Sequence, residues 1–266
     1  MKFRPIHTPA LRAAGLAATC LVLLGAGIAQ AELDQDANLR GAFNGAISPS
    51  KLPRTELAPV AVQMGGKITT TDKAVPPKLE EIVLAINSHG KLQNKGLATC
   101  SLGKLNSLPA TQAKQVCGDA LVGHGNVTSR VSLPGQGAFA SNADLLAFNG
   151  KLHGKPAVLA QVSSGAPLPL TYVIGFEVKK TGGTFGTQLV ATLPPIASEY
   201  GYISAFSLSL SRQYESHGKK LSFASASCPA PKGFPGASFP FVKASYEFAD
   251  GRSLGATLTR ECKVKG

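Results

Sequence analysis

Apolar and polar side chains alternate with a period of two along much of the chain. Phe206, Leu208 and Leu210 alternate with serines, which is the pattern of a strand that buries one face. The same alternation occurs over Ile82–Ile86, Tyr172–Val178 and Phe185–Leu193. Gly, Pro and Asn-Gly turn signals separate these segments at the short intervals typical of sandwiches. The pattern predicts an all-β fold, an antiparallel β-sandwich.

One stretch lacks this alternation and predicts a short helix over about residues 108–117. Ser107 can act as its N-cap, and Pro109 falls in its first turn. The residues ATQAKQVC that follow favour a helix, and Gly118 can end it. The prediction is therefore a β-sandwich with one short helix.

The alternation begins near residue 59, which suggests how the chain is divided. Residues 59–266 are predicted to form the sandwich domain, and two β subdomains, 59–105 and 118–266, are the alternative. Residues 32–58 are polar and lack sustained periodicity. They are predicted to be an N-terminal extension that contributes one strand around Phe43.

The first 31 residues have the features of a secretory signal peptide. A basic start precedes an apolar run from Ala13 to Ala29, and Ala29-Gln30-Ala31 is a pattern that signal peptidase accepts. The run is rich in Ala and Gly and shorter than the roughly 20 strongly apolar residues of a membrane span. We therefore expect cleavage after Ala31, a secreted protein and no transmembrane anchor. A retained anchor is the alternative.

Four cysteines remain after this cleavage: Cys100, Cys117, Cys228 and Cys262. An even number of cysteines in an exported chain predicts two disulfides. Three pairings are open from the sequence. The local pairs 100–117 and 228–262 are favoured because each joins the ends of one supersecondary unit. A zinc site is the rival interpretation, but the chain contains no Cys-x-x-Cys pair.

The mature chain is basic. Cleavage removes Lys2, Arg4 and Arg12 and no acidic residue, which leaves 24 Lys and Arg against 15 Asp and Glu, a net charge of +9. Outside a cell such a charge favours anionic partners, and we expect an anionic cell-envelope polymer or a glycan. Nucleic acid is not expected, because basic and aromatic residues do not interleave and the protein is exported.

The buried positions of the last hairpin determine its register. Tyr246 and Phe248 must share a face with Leu254 and Leu258, and opposed residues lie on the same face of a sheet. A three-residue loop, Ala249-Asp250-Gly251 with Gly251 left-handed, satisfies this requirement. Tyr246 should then pair with Leu254, and Val242 with Leu258.

A His-Gly-Lys triplet begins at His89, His153 and His217, at a constant spacing of 64 residues. The favoured interpretation is a set of hairpin tips, because Gly and His both tolerate the left-handed backbone that a two-residue turn requires. For the last triplet this places Tyr214 opposite Leu221. A three-histidine metal site and an old duplication, suggested by Ser-His-Gly-Lys-x8-Cys occurring twice, are the alternatives.

The segment CPAPKGFPGASFPF, residues 228–241, is the candidate binding loop. Its four prolines argue against a central strand, and a long rigid loop that carries Phe234, Phe239 and Phe241 can form a recognition surface. The favoured interpretation, however, is that the rings close one end of the core, with the loop tethered by Cys228.

Motifs for chemistry are lacking in the sequence. There is no Gly-x-Ser-x-Gly, no His-Glu-x-x-His and no complete phosphate-binding glycine loop, so no catalytic, cofactor or metal residue is assigned. Asp34-x-Asp36 could hold calcium weakly, although a solvated tail is favoured. A glycosidase would need two facing carboxylates, and the acids are scattered over Asp119, Asp144, Glu177, Glu199, Glu215, Glu247, Asp250 and Glu261.

Three segments, SASCPAPKGFPGASFPFVKASYEFADGRSLGATLTRECKV, NGKLHGKPAVLAQV and GTFGTQLVATLP, resemble uncharacterised exported β-rich proteins of high-GC soil actinobacteria. The resemblance covers most of the mature chain and implies export, a bacterial source and a β-rich fold. That group has no assigned activity, so the resemblance transfers no functional residue. We therefore expect a secreted or envelope-associated binding or structural module. The alternative is an enzyme that acts on envelope glycans with carboxylates assembled by the fold.

Overall fold

The computed structural model describes residues 31–165 and 169–265, and the fold is all-β, as predicted. Nineteen strands are formed within these residues: β1 (Glu32–Asp36), β2 (Leu39–Ser48), β3 (Lys51–Leu52), β4 (Ala58–Pro59), β5 (Ala61–Thr70), β6 (Leu79–Asn87), β7 (Gly90–Leu92), β8 (Cys100–Ser101), β9 (Leu121–Val131), β10 (Phe139–Leu152), β11 (Lys155–Ser164), β12 (Leu170–Lys180), β13 (Phe185–Thr192), β14 (Gly201–Leu210), β15 (Gln213–Ser216), β16 (Lys219–Ser222), β17 (Ala224–Ala226), β18 (Gly236–Phe248) and β19 (Ser253–Val264). The predicted strands correspond to β6, β12, β13 and β14.

One large, mostly antiparallel sheet dominates the molecule. Its strand order is β1-β2-β5-β14-β9-β10-β11-β12-β13-β6-β18-β19-β3, and β8 pairs with β10 beside this path. The sheet curls so that its two ends meet, and a Cβ added at Gly45 of β2 would lie 2.8 Å from the side chain of Leu258 in β19. Strands β4, β17 and β7 form a small second sheet, and β15 and β16 form a hairpin.

The main core fills the space that the curled sheet encloses. Phe43, Phe223 and Leu258 are among its fully buried side chains. The inward residues Phe206, Leu208 and Leu210 of β14 pack into the same core, whereas the intervening serines face outward. The two-residue period of the sequence therefore separates the enclosed face from the solvent face.

The helical segment packs on the outside of the sheet. Helix α1 (Leu102–Leu105) precedes α2 (Ala110–Cys117), and both contribute to a second core with outward residues of β10 and β11, including Phe148 and Leu159. Helix α2 confirms the predicted helix, but its N-cap is Pro109 rather than Ser107. Pro109 has an extended backbone, with ψ of 157°, and its ring disfavours a helical conformation at Leu108, so the helix starts at Ala110.

Both disulfides have the favoured local pairing. Cys100 joins Cys117 and Cys228 joins Cys262, with 5.7 Å between the Cα atoms of each pair. The first bond ties α2 back to β8, and the second ties the start of the Pro-rich segment to β19. Each bond therefore anchors a segment without regular strand pairing to the main sheet.

The predicted hairpin registers are confirmed. Tyr246 pairs with Leu254 and Val242 with Leu258, and Gly251 has φ of +83°. At the tip before β16, His217 and Gly218 have φ of +51° and +71°, and Tyr214 pairs with Leu221.

The other two His-Gly-Lys triplets differ from each other. His153 and Gly154 also have positive φ, at the tip between β10 and β11. At His89 the chain instead enters the small sheet, where β7 pairs with β17. The amide of His89 donates to the side chain of Asn87, 2.9 Å away. The Asn87 side chain therefore supports this turn, whereas the other two tips have a left-handed backbone.

Residues 32–58 are more structured than an extension with one strand. The strand predicted around Phe43 is confirmed as β2, but β1, β2 and β3 all join the main sheet. In β2 the inward residues Leu39, Phe43 and Ile47 are buried and alternate with Gly41 and Gly45. These inward glycines hide the two-residue period from a hydrophobicity pattern. The predicted signal peptide up to residue 30 lies outside the described residues.

Strands from the two candidate subdomains lie side by side. β6, from the first, lies between β13 and β18, and β5 lies between β2 and β14. Both groups of strands therefore build one sheet.

Candidate functional site

The Pro-rich segment is only partly a loop. Strand β18 begins at Gly236 and includes Pro240, so the prediction of a loop over residues 228–241 is wrong for its second half. The expectation that the prolines exclude a central strand is confirmed up to Pro240. At Pro240 the strand pairs with β19 alone, and pairing with β6 begins at Val242, after a register shift. Proline is accepted there because its missing amide has no neighbouring strand to reach.

The three phenylalanines of the candidate binding loop have different environments. Phe239 and Phe241 are buried and meet edge to face, with ring centroids 6.4 Å apart, so they serve the core. Phe234 is 61% exposed. The guanidinium of Arg54 donates to the carbonyl groups of Ala230, Pro231 and Phe234, which holds the loop against the domain.

A shallow depression of about 610 Å³ lies on the outer face of β2, β5, β14 and β9. Cross-strand pairing places one residue of each strand in a single row: Asn44, Gly65, Ser207 and Asn126. The two middle residues are smaller than the two at the ends, so the row is lowest at its centre. Along β14 the outward residues are also small, namely Ala205, Ser207 and Ser209. We call this depression the β14 groove.

Hydrogen-bonding groups line the β14 groove. Asn44, Gln63, His124, Asn126 and Ser207 are all exposed there. Within the described part of the chain, none of these five side chains hydrogen-bonds to another protein group. Their amide, imidazole and hydroxyl groups are therefore available to a ligand or to water.

The sheet fixes the geometry of the groove. β5, β14 and β9 are each paired on both sides, so their outward side chains project from a rigid backbone. A Cβ added at Gly65 would lie 2.8 Å from Oδ1 of Asn44 and 3.2 Å from the carbonyl oxygen of Phe206. Glycine at this position therefore keeps the floor of the groove open beside Asn44.

Charge in the groove is sparse. Lys67 lies among the described lining residues, which include no Asp or Glu. The neighbouring acid, Asp144, pairs across the strands with Asn126 but lies on β10, beyond the lining residues. The groove can therefore bind through hydrogen bonds, but it lacks the two facing carboxylates that a glycosidase requires.

Two of the acids considered as catalytic candidates are engaged in surface ion pairs. The Lys155 ammonium lies 2.9 Å from Glu177 and holds the pKa of that carboxyl below its usual range. The side chain of Arg252 lies 2.8 Å from Asp250 and lowers the pKa of Asp250 in the same way. A lowered pKa makes these carboxyls poor general acids.

Among the candidate acids, Glu247 has a carboxylate neighbour on the adjacent strand. It pairs across the strands with Glu81 of β6, but Glu247 is exposed. The pair lies on the outer face of β6 and β18, because Glu247 directly follows the inward Tyr246 in its strand. A general acid with a raised pKa usually needs burial, which an exposed strand surface does not provide.

In the part of the chain that the structure describes, the histidines and the early acids do not form a metal site. Among residues 31–165 and 169–265, no group of three or more His, Cys, Asp and Glu side chains could hold a metal ion. Asp34 and Asp36, considered for calcium, instead accept hydrogen bonds from the backbone amides of Gly255 and Ser253. His124 is the histidine that lies in the β14 groove.

The β14 groove is a site that sequence analysis missed. Its residues come from four strands far apart in the sequence, and no motif joins them. The serines of β14 were recognised as the outward half of an alternating strand, but their neighbours depend on strand order. Two adjacent glycines, Gly65 and Gly66, are the one signal of this groove in the sequence, since glycine inside a strand often marks a place where a ligand or another backbone approaches closely.

No helix in the described part of the chain is long and apolar enough to span a membrane. Comparisons of the sequence with protein-family models, with curated proteins and with solved structures find no match. Functional inference therefore depends on the geometry of this molecule.

Proposed function

We propose that the protein is a secreted binding module that holds a hydroxyl-rich glycan in the β14 groove. The observation that supports this most strongly is a set of exposed amide, imidazole and hydroxyl groups that make no hydrogen bond to another group in the described part of the chain. They belong to Asn44, Gln63, His124, Asn126 and Ser207. Sugar hydroxyls both donate and accept hydrogen bonds, so they match side chains that can do the same.

The dimensions of the groove suit a segment of a polymer. The row from Asn44 to Asn126 crosses three strand spacings, about 14 Å, and Ala205 to Ser209 extends about 13 Å along β14. The groove is open along its length, so a chain can enter and leave without threading. Because the strands are paired, little backbone conformational entropy is lost when the ligand binds, and the entropic cost falls on the exposed side chains.

The lysines make a secondary contribution to binding. Lys67 lies at the groove, while many of the other lysines lie near turns. The net charge of +9 expected after signal cleavage attracts an anionic envelope at long range. This attraction is screened by salt, whereas neutral hydrogen bonds at a groove are much less sensitive. The two contributions can therefore be separated by ionic strength.

Export is supported by the two disulfides, which form and persist in oxidising compartments. The enzyme alternative is weaker, because the described residues that line the groove include no carboxylate pair. We therefore favour binding without hydrolysis.

Co-sedimentation with isolated bacterial envelopes and with insoluble polysaccharides, over a salt series, tests this proposal. The wild-type protein should be retained by a glycan even at high salt. Ser207→Ile fills the floor of the groove and should abolish retention. Thr257→Ile is the matched control, because it places the same side chain at an exposed position of β19 and should leave retention unchanged.

Two results would overturn the proposal. Retention that disappears with salt and is equal for wild type and Ser207→Ile would assign binding to the lysine surface and an anionic polymer. Absence of retention on every glycan tested would exclude a glycan-binding groove.

A further inference from the structure

The β14 groove continues into a second depression at one of its ends. This depression, of about 520 Å³, lies on the outer face of β1, β2 and β5. Ala42 and Lys67 line both spaces, so the two surfaces meet at Lys67. We call the second depression the groove extension. Its other outward lining residues are Leu33, Gln35, Arg40 and Thr69.

Two basic side chains project from the sheet where the groove meets its extension. Arg40 of β2 pairs with Thr69 of β5, and Lys67 precedes Thr69 by two residues in the same strand. Arg40 and Lys67 are therefore diagonal neighbours on one face, about 7–8 Å apart where their side chains begin. Both side chains are exposed, so one ligand can contact both.

The protein does not neutralise these two charges. Nε of Arg40 donates to Oε1 of Gln35, 2.7 Å away, so a neutral amide orients the guanidinium and leaves its charge uncompensated. In the part of the chain that the structure describes, the ammonium of Lys67 has no hydrogen-bond or ion-pair partner. Both cations can therefore form charge-assisted hydrogen bonds with an anionic ligand.

The acidic side chains of β1 are directed away from this surface. Asp34 borders the groove extension, but its carboxylate accepts from the amide of Gly255 in β19. Glu32 and Asp36 also bond to residues of β19. Among the described residues that line the two depressions, Asp34 is the one acid. The two-residue period therefore places the acids on the enclosed side of these strands and the cations on the outer side.

We infer that the ligand of the β14 groove is an acidic glycan, whose carboxylate or phosphate groups bind Lys67 and Arg40. The neutral row at Ser207 contacts sugar hydroxyls, and the two cations at one end give the preference for an acidic chain. Lysine supplies a point charge and arginine a planar fork of donors, and both suit the oxygens of these anions. The inference rests on the proposed function, because it concerns the same groove.

Nucleic acid is another anionic polymer, but the groove lacks a surface on which bases can stack. Sites for single-stranded nucleic acid combine a basic groove with aromatic side chains that stack on the bases. Phe206 lines the groove, but its ring packs into the enclosed core. The described residues that line the two depressions include no Tyr or Trp. An acidic glycan therefore matches this surface better than nucleic acid.

The affinity of the mature protein for matched acidic and neutralised glycans tests the inference. Polygalacturonate is compared with its methyl ester, which keeps the backbone and removes the carboxylate charge, and phosphomannan is compared with dephosphorylated mannan. The wild type should bind at least one acidic form about ten-fold more tightly than its neutral counterpart, since each of two exposed charge contacts contributes about three-fold. The pair that shows this preference identifies carboxylate or phosphate as the recognised group.

Variants locate the preference on the surface. Lys67→Gln and Arg40→Gln should each reduce it about three-fold. Lys243→Gln is the matched control, because it removes one positive charge from an exposed position of β18 outside the lining residues. The control lowers the net charge equally and should retain the preference of the wild type. Ser207→Ile should abolish binding of the acidic and the neutral form alike.

Equal affinity for the acidic and neutral form of every pair, with both blocked by Ser207→Ile, would overturn the inference and leave the glycan groove in place. Equal losses of preference in Lys67→Gln and Lys243→Gln would assign it to the net charge and also overturn the inference. Single-stranded DNA that binds more tightly than every acidic glycan, and is lost in Ser207→Ile, would replace the glycan with nucleic acid. Absence of binding to every glycan would overturn the proposed function as well.

Discussion

The carboxylate of Asp34 accepts a hydrogen bond of 2.6 Å from the backbone amide of Gly255, which joins the first strand of the curled sheet to β19. Two residues along, Asp36 accepts from the amide of Ser253 at 3.3 Å. At the other end of β1, Glu32 forms an ion pair of 2.9 Å with Arg260.

Acidic side chains at alternate positions of β1 therefore hold the two ends of the curled sheet together. β3 pairs with β19 only at Lys263 and Val264, so much of this edge of β19 lacks a strand partner. Side-chain oxygens of β1 accept from its amides instead. They also cover an edge that could otherwise pair with another chain.

Asp34→Ala should lower the free energy of unfolding by about 1–2 kcal/mol, because it removes a hydrogen bond to a charged acceptor that is only partly buried. Denaturation by urea measures this loss. Asp34→Asn is the matched control, since it retains an oxygen acceptor and should recover most of the stability. Equal stability of the wild type and Asp34→Ala would contradict a role of this contact in closing the sheet.

Removing the Cys228–Cys262 disulfide by a double Cys→Ala change should cost about 4 kcal/mol, and removing Cys100–Cys117 about 3 kcal/mol, on chain-entropy grounds. The first closes the longer loop, with a sequence separation of 34 against 17. The urea midpoints of the two double variants show which removal costs more stability. A larger loss for the 100–117 pair would show that anchoring the helices matters more than loop length.

Stability should fall at alkaline pH because two tyrosines are buried. Burial raises the pKa of Tyr172 to about 12 and raises the pKa of Tyr246 well above its usual range. Both folded-state pKa values lie above that of an unfolded tyrosine, about 10. The stability that these two neutral tyrosines contribute is complete below a pH of about 10. It is lost as the pH rises toward their folded-state pKa values.

Tyrosinate absorbance during an alkaline titration measures this effect. The absorbance of these two side chains should appear only together with unfolding, and Tyr246→Phe and Tyr172→Phe should each remove one such contribution. Ionisation of all five tyrosines near pH 10 in a folded protein would contradict the burial.

The His-Gly tips require a left-handed backbone rather than imidazole chemistry. His153 has φ of +50°, which Asn adopts readily and β-branched residues adopt poorly. His153→Asn should therefore preserve or slightly raise thermal stability, whereas His153→Val should cost about 1–2 kcal/mol. Thermal unfolding followed by circular dichroism separates the two variants, and a destabilised His153→Asn would indicate a contact made by the imidazole.

Local rules predicted a large part of this fold. Alternation identified β6, β12, β13 and β14, and the parity of buried positions fixed the pairing of Tyr246 with Leu254. Spacing in the chain favoured the disulfide pairs correctly. These features depend on residues that are close in sequence or on one hairpin.

Features that depend on long-range strand order could not be predicted in this way. β5 and β14 are neighbours although about 140 residues separate Gly65 from Ser207, and only this pairing creates the β14 groove. The burial of Phe239 and Phe241 likewise depends on where β18 enters the sheet. A hydrophobic pattern identifies which residues need a partner, but it does not identify the partner.

The most direct test of the proposed function is an amide NMR titration of the mature protein with soluble fragments of a polysaccharide that retains it. The account predicts shifts concentrated at Gly65, Asn126 and Ser207, with little change when the salt concentration is raised. Shifts confined to the lysine-bearing turns or to Phe234, with the β14 groove unchanged, would contradict it.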